Sequence, residues 1–255
     1  MKTFLPLLLC IGLLTLSCNQ PKKEIVKDSE VNEIEPEVPL EAPKTFVHGI
    51  DISHYQGDQV DFFKKHEDNL SFIICKATEG ITYTDPDFSN NWKMIKEKSF
   101  IRGAYHFYRT NDDPRAQAAN YLGTVSGFES TDIPPIVDFE EGGISNGQSI
   151  AEIQAGLMTF LKEIENKTTL TPIIYTDVNT GNKYLNDPVF STYPLWIANY
   201  TEGDSPDLPT AWKNRPWLLW QRSDSYTIGS TKDDFDVFNG SRRDLKIFML
   251  KSTSE

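Results

Sequence analysis

The sequence has few cysteines and histidines, and this scarcity limits the chemistry open to it. Of the 255 residues, three are cysteine and four are histidine. Cys10 and Cys18 lie near the N-terminus, which leaves Cys75, inside an apolar run, as an expected core residue. A disulfide framework is excluded, and the scattered histidines have no metal-ligand spacing. We expect neither a metal ion nor another cofactor.

Basic side chains are also scarce. The chain has 25 lysine and arginine residues against 37 aspartate and glutamate residues, and its formal net charge is −12. Five of the bases and seven of the acids precede Phe46, so residues 46–255 keep a net charge of about −10. Because nucleic-acid binding needs a basic surface, we expect no nucleic-acid partner.

Long apolar runs are confined to the N-terminus, where the stretch from Phe4 to Leu16 follows Lys2. This stretch is too short to span a bilayer and is typical of a secretory signal. It ends at Ser17 and Cys18, a pair that resembles the relaxed lipobox of bacterial lipoproteins. We predict a signal peptide over residues 1–17, lipidation of Cys18, and anchoring in the bacterial cell envelope, on the periplasmic or surface face of the outer membrane. An ordinary signal peptide with a chance cysteine is the alternative.

Residues 18–45 have a different composition. Four prolines alternate with seven acids and four lysines, and there is no aromatic residue. Such a segment cannot bury enough apolar surface to offset the entropy lost on ordering. We predict that it is an acidic, proline-rich tether between the lipidated Cys18 and a single domain over residues 46–255, which is long enough for a large core.

Short apolar runs alternate with amphipathic segments in this domain. Strands are predicted over residues 46–52, 71–77, 101–107, 135–140, 172–175, 195–198 and 217–221, with a weaker eighth at 235–238. Helices are predicted over 60–67, 86–98, 114–126, 149–166 and 178–185, with Asp85 as one N-cap and a capping box at Ser149. The alternation predicts an α/β fold, a single irregular TIM-like β/α barrel with few helices in its last third. An open doubly wound sheet is the alternative, but the first strand is not followed by a glycine-rich phosphate turn.

Polar residues follow almost every predicted strand, at the ends that meet on one face of a parallel barrel. Asp138 and Glu140 are the sharpest pair, because they emerge directly from the apolar residues 134–137. Residues two apart in a strand point to the same side, so both carboxyls are expected in one cleft. Such a pair raises one pKa and supplies the protonated acid that glycosidic-bond cleavage requires. Two solvated loop acids are the alternative.

Aromatic and amide side chains at the same strand ends are candidates for contact with a sugar substrate. The predicted contacts are Tyr105, Tyr175, Trp196, Tyr200, Trp220, Gln221 and Glu79. For Glu79, pairing with Lys76 to orient other side chains is the favoured alternative. Phe107 is expected in the core, and His106 is expected to be a hydrogen-bonded structural histidine rather than a proton shuttle.

Six sequence blocks, in order and with matching spacing, resemble the glycoside hydrolase family 25 lysozymes. They are GIDISHYQG (49–57), KATEG (76–80), GAYHF (103–107), DFE (138–140), WIANY (196–200) and WQ (220–221). The resemblance covers nearly all of residues 46–240. It implies a β/α barrel with an acidic groove that hydrolyses the β-1,4 bond between N-acetylmuramic acid and N-acetylglucosamine, so that peptidoglycan is the expected partner.

The resemblance also implies roles for four acids. Glu140 matches the general acid/base and Asp138 its partner, while Asp51 lies across the groove and Asp234 completes the acidic cluster. Tyr175 and Trp196 match substrate-contacting positions.

The last part of the chain departs from the family pattern. Residues 226–240 lack the proline-glycine step that is common before the late aspartate, and Asp236 stands where asparagine is usual. Asp233 and Asp236 are therefore alternatives to Asp234.

The sequence leaves the mechanism and two rival functions open. In the first mechanism, the 2-acetamido group of the substrate attacks the anomeric carbon, Asp138 orients it, and Glu140 protonates the leaving oxygen. In the second, Asp51 or Asp234 activates a water for inversion. The rival functions are glycan binding without turnover and a chitinase-like hydrolysis on the same barrel. A monomer is expected.

Overall fold

The computed structural model describes residues 45–59, 69–228 and 231–251. The predicted signal peptide, residues 18–44 of the predicted tether with Cys18, and the helix predicted over 60–67 lie outside the described residues. None of the helices in the described ranges combines the length and the apolar character that a membrane span needs.

Eight of the nine described strands close into a barrel, which confirms the predicted fold class. They are β1 (Val47–Ile52), β2 (Phe72–Glu79), β4 (Ile101–Phe107), β5 (Ile136–Asp138), β6 (Ile173–Asp177), β7 (Leu195–Ala198), β8 (Leu219–Ile228) and β9 (Thr231–Phe238). The sheet runs in the order β1-β9-β8-β7-β6-β5-β4-β2 and closes through the pairing of β1 with β2. The pairs from β1 through β8 are parallel, whereas β9 is antiparallel to both of its neighbours. The short β3 (Tyr83–Thr84), which was not predicted, forms a hairpin with β2.

Five α-helices occur in the same ranges. They are α1 (Phe88–Glu97), α2 (Pro114–Val125), α3 (Ile150–Thr168), α4 (Val178–Tyr184) and α5 (Arg242–Lys251). The first four match predicted helices to within two residues at each end. Between α4 and α5 the described chain has only 3-10 turns and strands, in agreement with the predicted shortage of helices in the last third. Helix α5 was not predicted.

One of the two predicted helix caps is wrong. Ser149 begins α3 with the predicted capping box: its hydroxyl accepts from the backbone N–H of Glu152 at 3.2 Å, and the Glu152 carboxylate accepts from the backbone N–H of Ser149 at 2.8 Å. Asp85 does not cap α1, because the helix begins only after Asp87. Its carboxylate instead accepts from the backbone N–H groups of His54 and Asp87, which ties this loop to the turn after β1.

Side chains alternate along the strands and form two apolar layers. Ile73, Val137 and Ile197 point outward and pack in the layer that contains the helix side chains. The residues that alternate with these along the strands, such as Ile136 and Leu219, point inward and pack in the second layer inside the barrel. Burial on both faces is typical of parallel strands and explains their continuous apolar runs.

The N-terminal end of the barrel is filled and closed. Gly49 of β1 makes room there for Phe72, since a Cβ at position 49 would lie 2.3 Å from the Phe72 ring. Leu245 and Met249 of α5 pack in the same apolar cluster as Phe72. With this end occupied, the C-terminal ends of the parallel strands remain as the open face.

Candidate active site

A cleft of about 190 Å³ opens at the C-terminal ends of the barrel strands. Each of the eight barrel strands contributes to its wall, either directly or through the turn that follows. The lining residues are Asp51, Ser53, Tyr55, Lys76, Tyr105, Phe107, Asp138, Glu140, Tyr175, Trp196, Gln221 and Asp234. This is the face on which the active sites of β/α barrels lie.

Asp138 and Glu140 lie together in the cleft, as predicted. Asp138 ends β5, and Glu140 follows in extended backbone with φ −136° and ψ 167°. Alternate residues of an extended chain share a side, so both carboxyls line the cleft while Phe139 packs in the helix-facing layer. Asp138 is 7% exposed, and its Oδ1 has no hydrogen-bond partner among the described groups. A buried polar oxygen without a partner is unusual, and it leaves the Asp138 carboxyl with unused acceptor capacity.

Burial and nearby acids raise both pKa values of this pair. Burial raises the pKa of Asp138 well above its usual value, the charge of Glu140 adds to the shift, and Lys76 opposes it. Burial is also the main cause that raises the pKa of Glu140, followed by the charge of Asp177, while Lys76 and Arg109 oppose it. Two carboxyls that share a partly dry site hold a proton more readily than an isolated one.

A basic pair, Lys76 and Arg109, stands beside these acids and is held by Glu79. Lys76 Nζ donates to Glu79 Oε2 at 2.6 Å, while Arg109 donates to Oε1 through Nε at 3.0 Å and through Nη2. Burial alone would raise the pKa of Glu79, but these donors lower it. Both oxygens of Glu79 are therefore occupied, and the residue lines an adjacent cavity rather than the cleft. The structure favours the orienting role over the predicted substrate contact.

Gln221 organises the opposite wall. Its Nε2 donates to Asp51 Oδ2 at 2.7 Å and to Asp234 Oδ2 at 3.3 Å, and its Oε1 accepts from the hydroxyls of Tyr175 at 2.9 Å and Tyr200 at 2.8 Å. Asp51 and Asp234 are direct cross-strand partners on β1 and β9. Burial raises the pKa of Asp51 well above its usual value and the pKa of Asp234 to about 6. The predicted acidic cluster is thus assembled.

The three late aspartates differ in position. Asp234 lines the cleft, whereas Asp233 and Asp236 are fully buried. Oδ1 of Asp236 accepts from the indole N–H of Trp196 at 2.8 Å. Of the predicted alternatives, the geometry therefore favours Asp234 as the acid that can reach a ligand.

Most of the predicted aromatic contacts are in place. Tyr105, Tyr175 and Trp196 line the cleft, and the rings of Tyr175 and Trp196 pack edge to face with centroids 4.6 Å apart. Tyr200 is 55% exposed, and its hydroxyl is bound to Gln221 next to them. These rings offer apolar faces with polar rims, which suit a sugar.

The prediction for Trp220 is wrong. Its side chain is 2% exposed and belongs to the helix-facing layer, where its indole N–H donates to the backbone carbonyl of Asn199 at 2.7 Å. Adjacent residues of a strand face opposite sides, so Trp220 and Gln221 cannot both face the cleft. The hydrogen bonds of Gln221 show which of the two does.

Four cleft residues are absent from the predicted site, namely Ser53, Tyr55, Lys76 and Phe107. Phe107 was expected in the core, but it lies two residues after Tyr105 on the same strand face, and this alternation could have identified it. Tyr55 is 84% exposed and lies in the 3-10 turn His54–Gln59, where no strand periodicity applies.

His106 is a structural histidine, as predicted. It is fully buried, with Nδ1 2.7 Å from the hydroxyl of Thr78 and Nε2 3.1 Å from Oε1 of Gln117. Burial lowers its pKa to about 4 and keeps it neutral. Within residues 45–59, 69–228 and 231–251, no group of three or more His, Cys, Asp or Glu side chains could hold a metal ion.

Comparison with known proteins identifies the family. The sequence profile described as glycosyl hydrolases family 25 matches residues 50–231, a range that includes Asp51, Asp138 and Glu140. The chain belongs to this family. It is 34% identical over 210 residues to YegX of Escherichia coli (strain K12), covering 80% of this chain and 73% of that protein. It is 31% identical over 205 residues to lysozyme M1 of Streptomyces globisporus, covering 76% and 68%.

Solved structures of lysozymes share the barrel. The bacterial lysozyme from Streptomyces coelicolor is 29% identical with a TM-score of 0.74, covering 81% of this chain and 98% of that one. The family 25 lysozyme from Aspergillus fumigatus is 31% identical with a TM-score of 0.73, covering 80% and 99%. The chain itself, as a member of family 25, is a glycoside hydrolase.

Proposed function

We propose that this family 25 enzyme is a muramidase that cleaves the β-1,4 bond between N-acetylmuramic acid and N-acetylglucosamine in peptidoglycan. The observation that carries the proposal is the pairing of Asp138 and Glu140 in one cleft, with both pKa values raised. The similarity to lysozyme M1 supports the choice of substrate.

Glu140 is the proposed proton donor. Burial and the charge of Asp177 raise its pKa, so it keeps a proton nearer to neutral pH than an exposed glutamate does. It lies at the cleft surface, where it can reach a glycosidic oxygen, whereas Asp138 lies deeper and ends the strand. Transfer of the proton to the leaving oxygen compensates the charge that develops as the bond breaks.

Asp138 is the proposed partner of the 2-acetamido group. Its carboxyl lines the cleft, and its buried Oδ1 has no donor among the described groups, so the carboxylate keeps free acceptor capacity for the amide N–H of the substrate. In this scheme the acetamido oxygen forms a bond to the anomeric carbon as the glycosidic bond breaks, and the leaving oxygen takes the Glu140 proton. Water then opens the cyclic intermediate and gives a proton back to Glu140, so the anomeric configuration is retained.

Inversion is the second mechanism. Asp51 and Asp234 lie side by side across the barrel strands β1 and β9, and either could accept a proton from an attacking water. The two mechanisms give products of opposite anomeric configuration. Proton NMR of the first product from a defined muramic-acid-containing oligosaccharide distinguishes them, and an inverted product would exclude acetamido participation.

The central experiment compares the full chain with Glu140→Gln and Glu141→Gln. Glu141 is a matched control, because its side chain is 63% exposed and forms a surface ion pair with Lys183 at 3.3 Å. Each protein is incubated with purified peptidoglycan, and the new reducing ends are identified by mass spectrometry. We expect muramic acid at the ends released by the wild type and by Glu141→Gln, and at least about a hundredfold less release by Glu140→Gln.

The two rival functions predict different results in the same assay. Binding to the wall without release by the wild type would make the protein a glycan-binding relative and contradict the muramidase proposal. Equal cleavage of chitin oligomers would instead indicate a chitinase-like specificity, because those substrates lack the lactyl group. Because we propose that the lactyl group is recognised, we expect little or no release from chitin.

We also propose that the enzyme is a lipoprotein of the bacterial cell envelope, tethered through Cys18. The support is the apolar segment that ends at Ser17 and Cys18, followed by acidic, proline-rich residues. Expression with a clickable fatty acid should label the wild type but not a Cys18→Ala variant. In membrane fractionation, the wild type should appear in the membrane pellet and the Cys18→Ala variant should not. Fatty-acid labelling of the variant would contradict the proposal.

A further inference from the structure

Asp236 is a buried carboxyl that adjoins the cleft without lining it. On β9 it is paired with Gly49 of β1 on one side and with Gln221 of β8 on the other. Its side chain is fully buried, and Oδ1 accepts from the indole N–H of Trp196 at 2.8 Å. Oδ2 is buried as well and receives no N–H or hydroxyl donor from the described residues.

The group that Asp236 meets is another carboxyl. Asp51 is the cross-strand partner of Asp234, so Asp236, two residues further along the same face of β9, is its diagonal neighbour, and the two carboxyls act on each other electrostatically. An ionised carboxylate only accepts, so a hydrogen bond between two carboxyls requires a proton on one of them. Two adjacent negative charges in a buried site would also repel each other strongly. The pair therefore holds one proton and one negative charge.

The surrounding groups decide which carboxyl holds the proton. Asp51 lines the cleft and accepts a hydrogen bond from Gln221 at 2.7 Å, which favours its ionised form. Among the described residues, only the indole of Trp196 donates to Asp236, and the charges with the largest effect on it are those of two acids, Asp51 and Asp234. Burial and the charge of Asp51 raise the pKa of Asp236 well above its usual value. A hydrogen bond donated by Asp236 to Asp51 acts in the same direction, because it lowers the pKa of Asp51 and raises that of Asp236.

The largest charge effects on this pair come from acids. Asp234 and Asp233 act on Asp51, whereas Lys76 and Arg109 act on Glu140, and Lys76 acts also on Asp138 of β5. The strand neighbours of Asp236, Gly49 and Gln221, are neutral.

We propose that Asp236 is a positioning residue, the protonated member of a carboxyl–carboxylate pair whose O–H donates to Asp51. This hydrogen bond and the one from Gln221 hold Asp51 ionised and in a fixed orientation at the cleft wall. Because Asp236 is neutral, it adds no further negative charge behind Asp51 and Asp234. An asparagine would offer the same two contacts, with its oxygen accepting from Trp196 and its amide donating to Asp51.

The first test does not depend on activity. We expect the infrared spectrum of the full chain at neutral pH to show the carbonyl stretch of a buried carboxylic acid, shifted by carboxyl-labelled [13C]aspartate and lost in Asp236→Asn. A raised folded-state pKa means that stability falls as pH rises from the unfolded value, about 3.9, towards the folded one. Since asparagine binds no proton, the Tm of Asp236→Asn should rise relative to the wild type between about pH 4 and pH 7. If Asp236 were ionised in the folded protein, that Tm difference would stop changing above about pH 5.

The second test measures positioning and rests on the proposed muramidase activity. Asp236→Asn should release peptidoglycan fragments within about threefold of the wild-type rate, because the donated hydrogen bond is kept. Asp236→Leu keeps the branching at Cγ, with bulkier methyl groups, but donates nothing to Asp51, and we expect it to lose at least about tenfold, the order of one lost hydrogen bond to a charged group. A loss in Asp236→Asn equal to that in Asp236→Leu would contradict the proposal.

The outcomes separate this inference from the proposed function. If the wild type is inactive but shows the carboxylic acid band and the pH-dependent Tm difference, the muramidase proposal is overturned. The assignment of the proton to Asp236 is then still supported. An active wild type with neither signal would overturn the inference and leave the muramidase proposal intact.

Discussion

Gln221 donates its side-chain amide to Asp51 at 2.7 Å and so joins β8 to β1 across the intervening strand β9. The same amide group reaches Asp234 on β9, and its carbonyl oxygen accepts from Tyr175 and Tyr200. One neutral side chain therefore connects two acids and two aromatic rings of the cleft. This arrangement makes Gln221 the residue on which the geometry of that wall depends.

Replacement of Gln221 by methionine keeps the length of the side chain and removes these hydrogen bonds. We expect the free energy of unfolding to fall by about 1–3 kcal/mol, because buried polar groups lose their partners. We also expect peptidoglycan hydrolysis to fall at least about tenfold. The measurements are urea denaturation and fragment release.

Gln154→Met is the matched control for that variant. Gln154 is half-buried on α3 and donates to the backbone carbonyl of Tyr184 at 2.8 Å, away from the cleft. We expect the Gln154→Met variant to be less stable than the wild type and equally active in peptidoglycan hydrolysis. Full activity in Gln221→Met would show that the wall does not need this link.

The candidate acids could be predicted because their chemistry conflicts with their surroundings. Asp138 follows an apolar strand directly, and the two-residue spacing to Glu140 fixes a common side. The same periodicity, applied to Trp220 and Gln221, would have assigned only one of them to the cleft. The error for Trp220 arose because tryptophan suits both a sugar-binding surface and a core, and the residue type alone does not decide between them.

Other features depend on contacts that are distant in the sequence. Asp85 has the sequence context of a helix cap, but its carboxylate is used by His54, 31 residues earlier. Helix α5 was missed although its start carries a local signal, in which Ser241 and Asp244 form reciprocal hydrogen bonds between side chain and backbone. Five charged residues among the ten of Arg242–Lys251, three of them at its start, obscured the apolar face. The reason for an apolar face on α5 becomes clear only in the closed barrel, whose N-terminal end this helix covers.

Trp220 and Trp196 should respond differently to replacement by phenylalanine. Trp220→Phe loses the bond to the carbonyl of Asn199 in the core, so the free energy of unfolding should fall by about 0.5–1.5 kcal/mol with KM unchanged. Trp196→Phe changes the cleft wall and removes the donor to Asp236, so KM should rise. Steady-state kinetics on soluble glycan fragments and urea denaturation provide both values. A raised KM in Trp220→Phe would contradict its placement in the core.

Gly49 should tolerate no side chain. A Cβ there would lie 2.3 Å from the ring of Phe72 inside the closed end of the barrel, so Gly49→Ala should lower the free energy of unfolding by about 1–3 kcal/mol. Gly123→Ala is the control, because it lies on α2 with no atom within 4 Å of the added Cβ, and it should stabilise the protein by about 0.5–1 kcal/mol. Adding Phe72→Leu to Gly49→Ala should restore part of the loss. Equal effects of the two alanine substitutions in urea denaturation would contradict this packing.

Lys76 should set the pH range of the enzyme. Its ammonium group favours the ionised forms of both Asp138 and Glu140, and so lowers their pKa values against the larger effect of burial. Lys76→Met removes this attraction, so both pKa values should rise. If hydrolysis needs Asp138 ionised and Glu140 protonated, the acidic and the alkaline limbs of the kcat/KM profile should both move to higher pH.

Lys93→Met provides the control for this shift. The side chain of Lys93 is 71% exposed and pairs with Glu97 at 3.7 Å on α1, so its removal should leave both limbs in place. Movement of the alkaline limb alone in Lys76→Met would mean that Asp138 acts without titrating in the working range. Movement of either limb to lower pH would contradict the assignment of Lys76 as the cation that stabilises this carboxyl pair, because loss of a positive charge cannot lower a neighbouring carboxyl pKa.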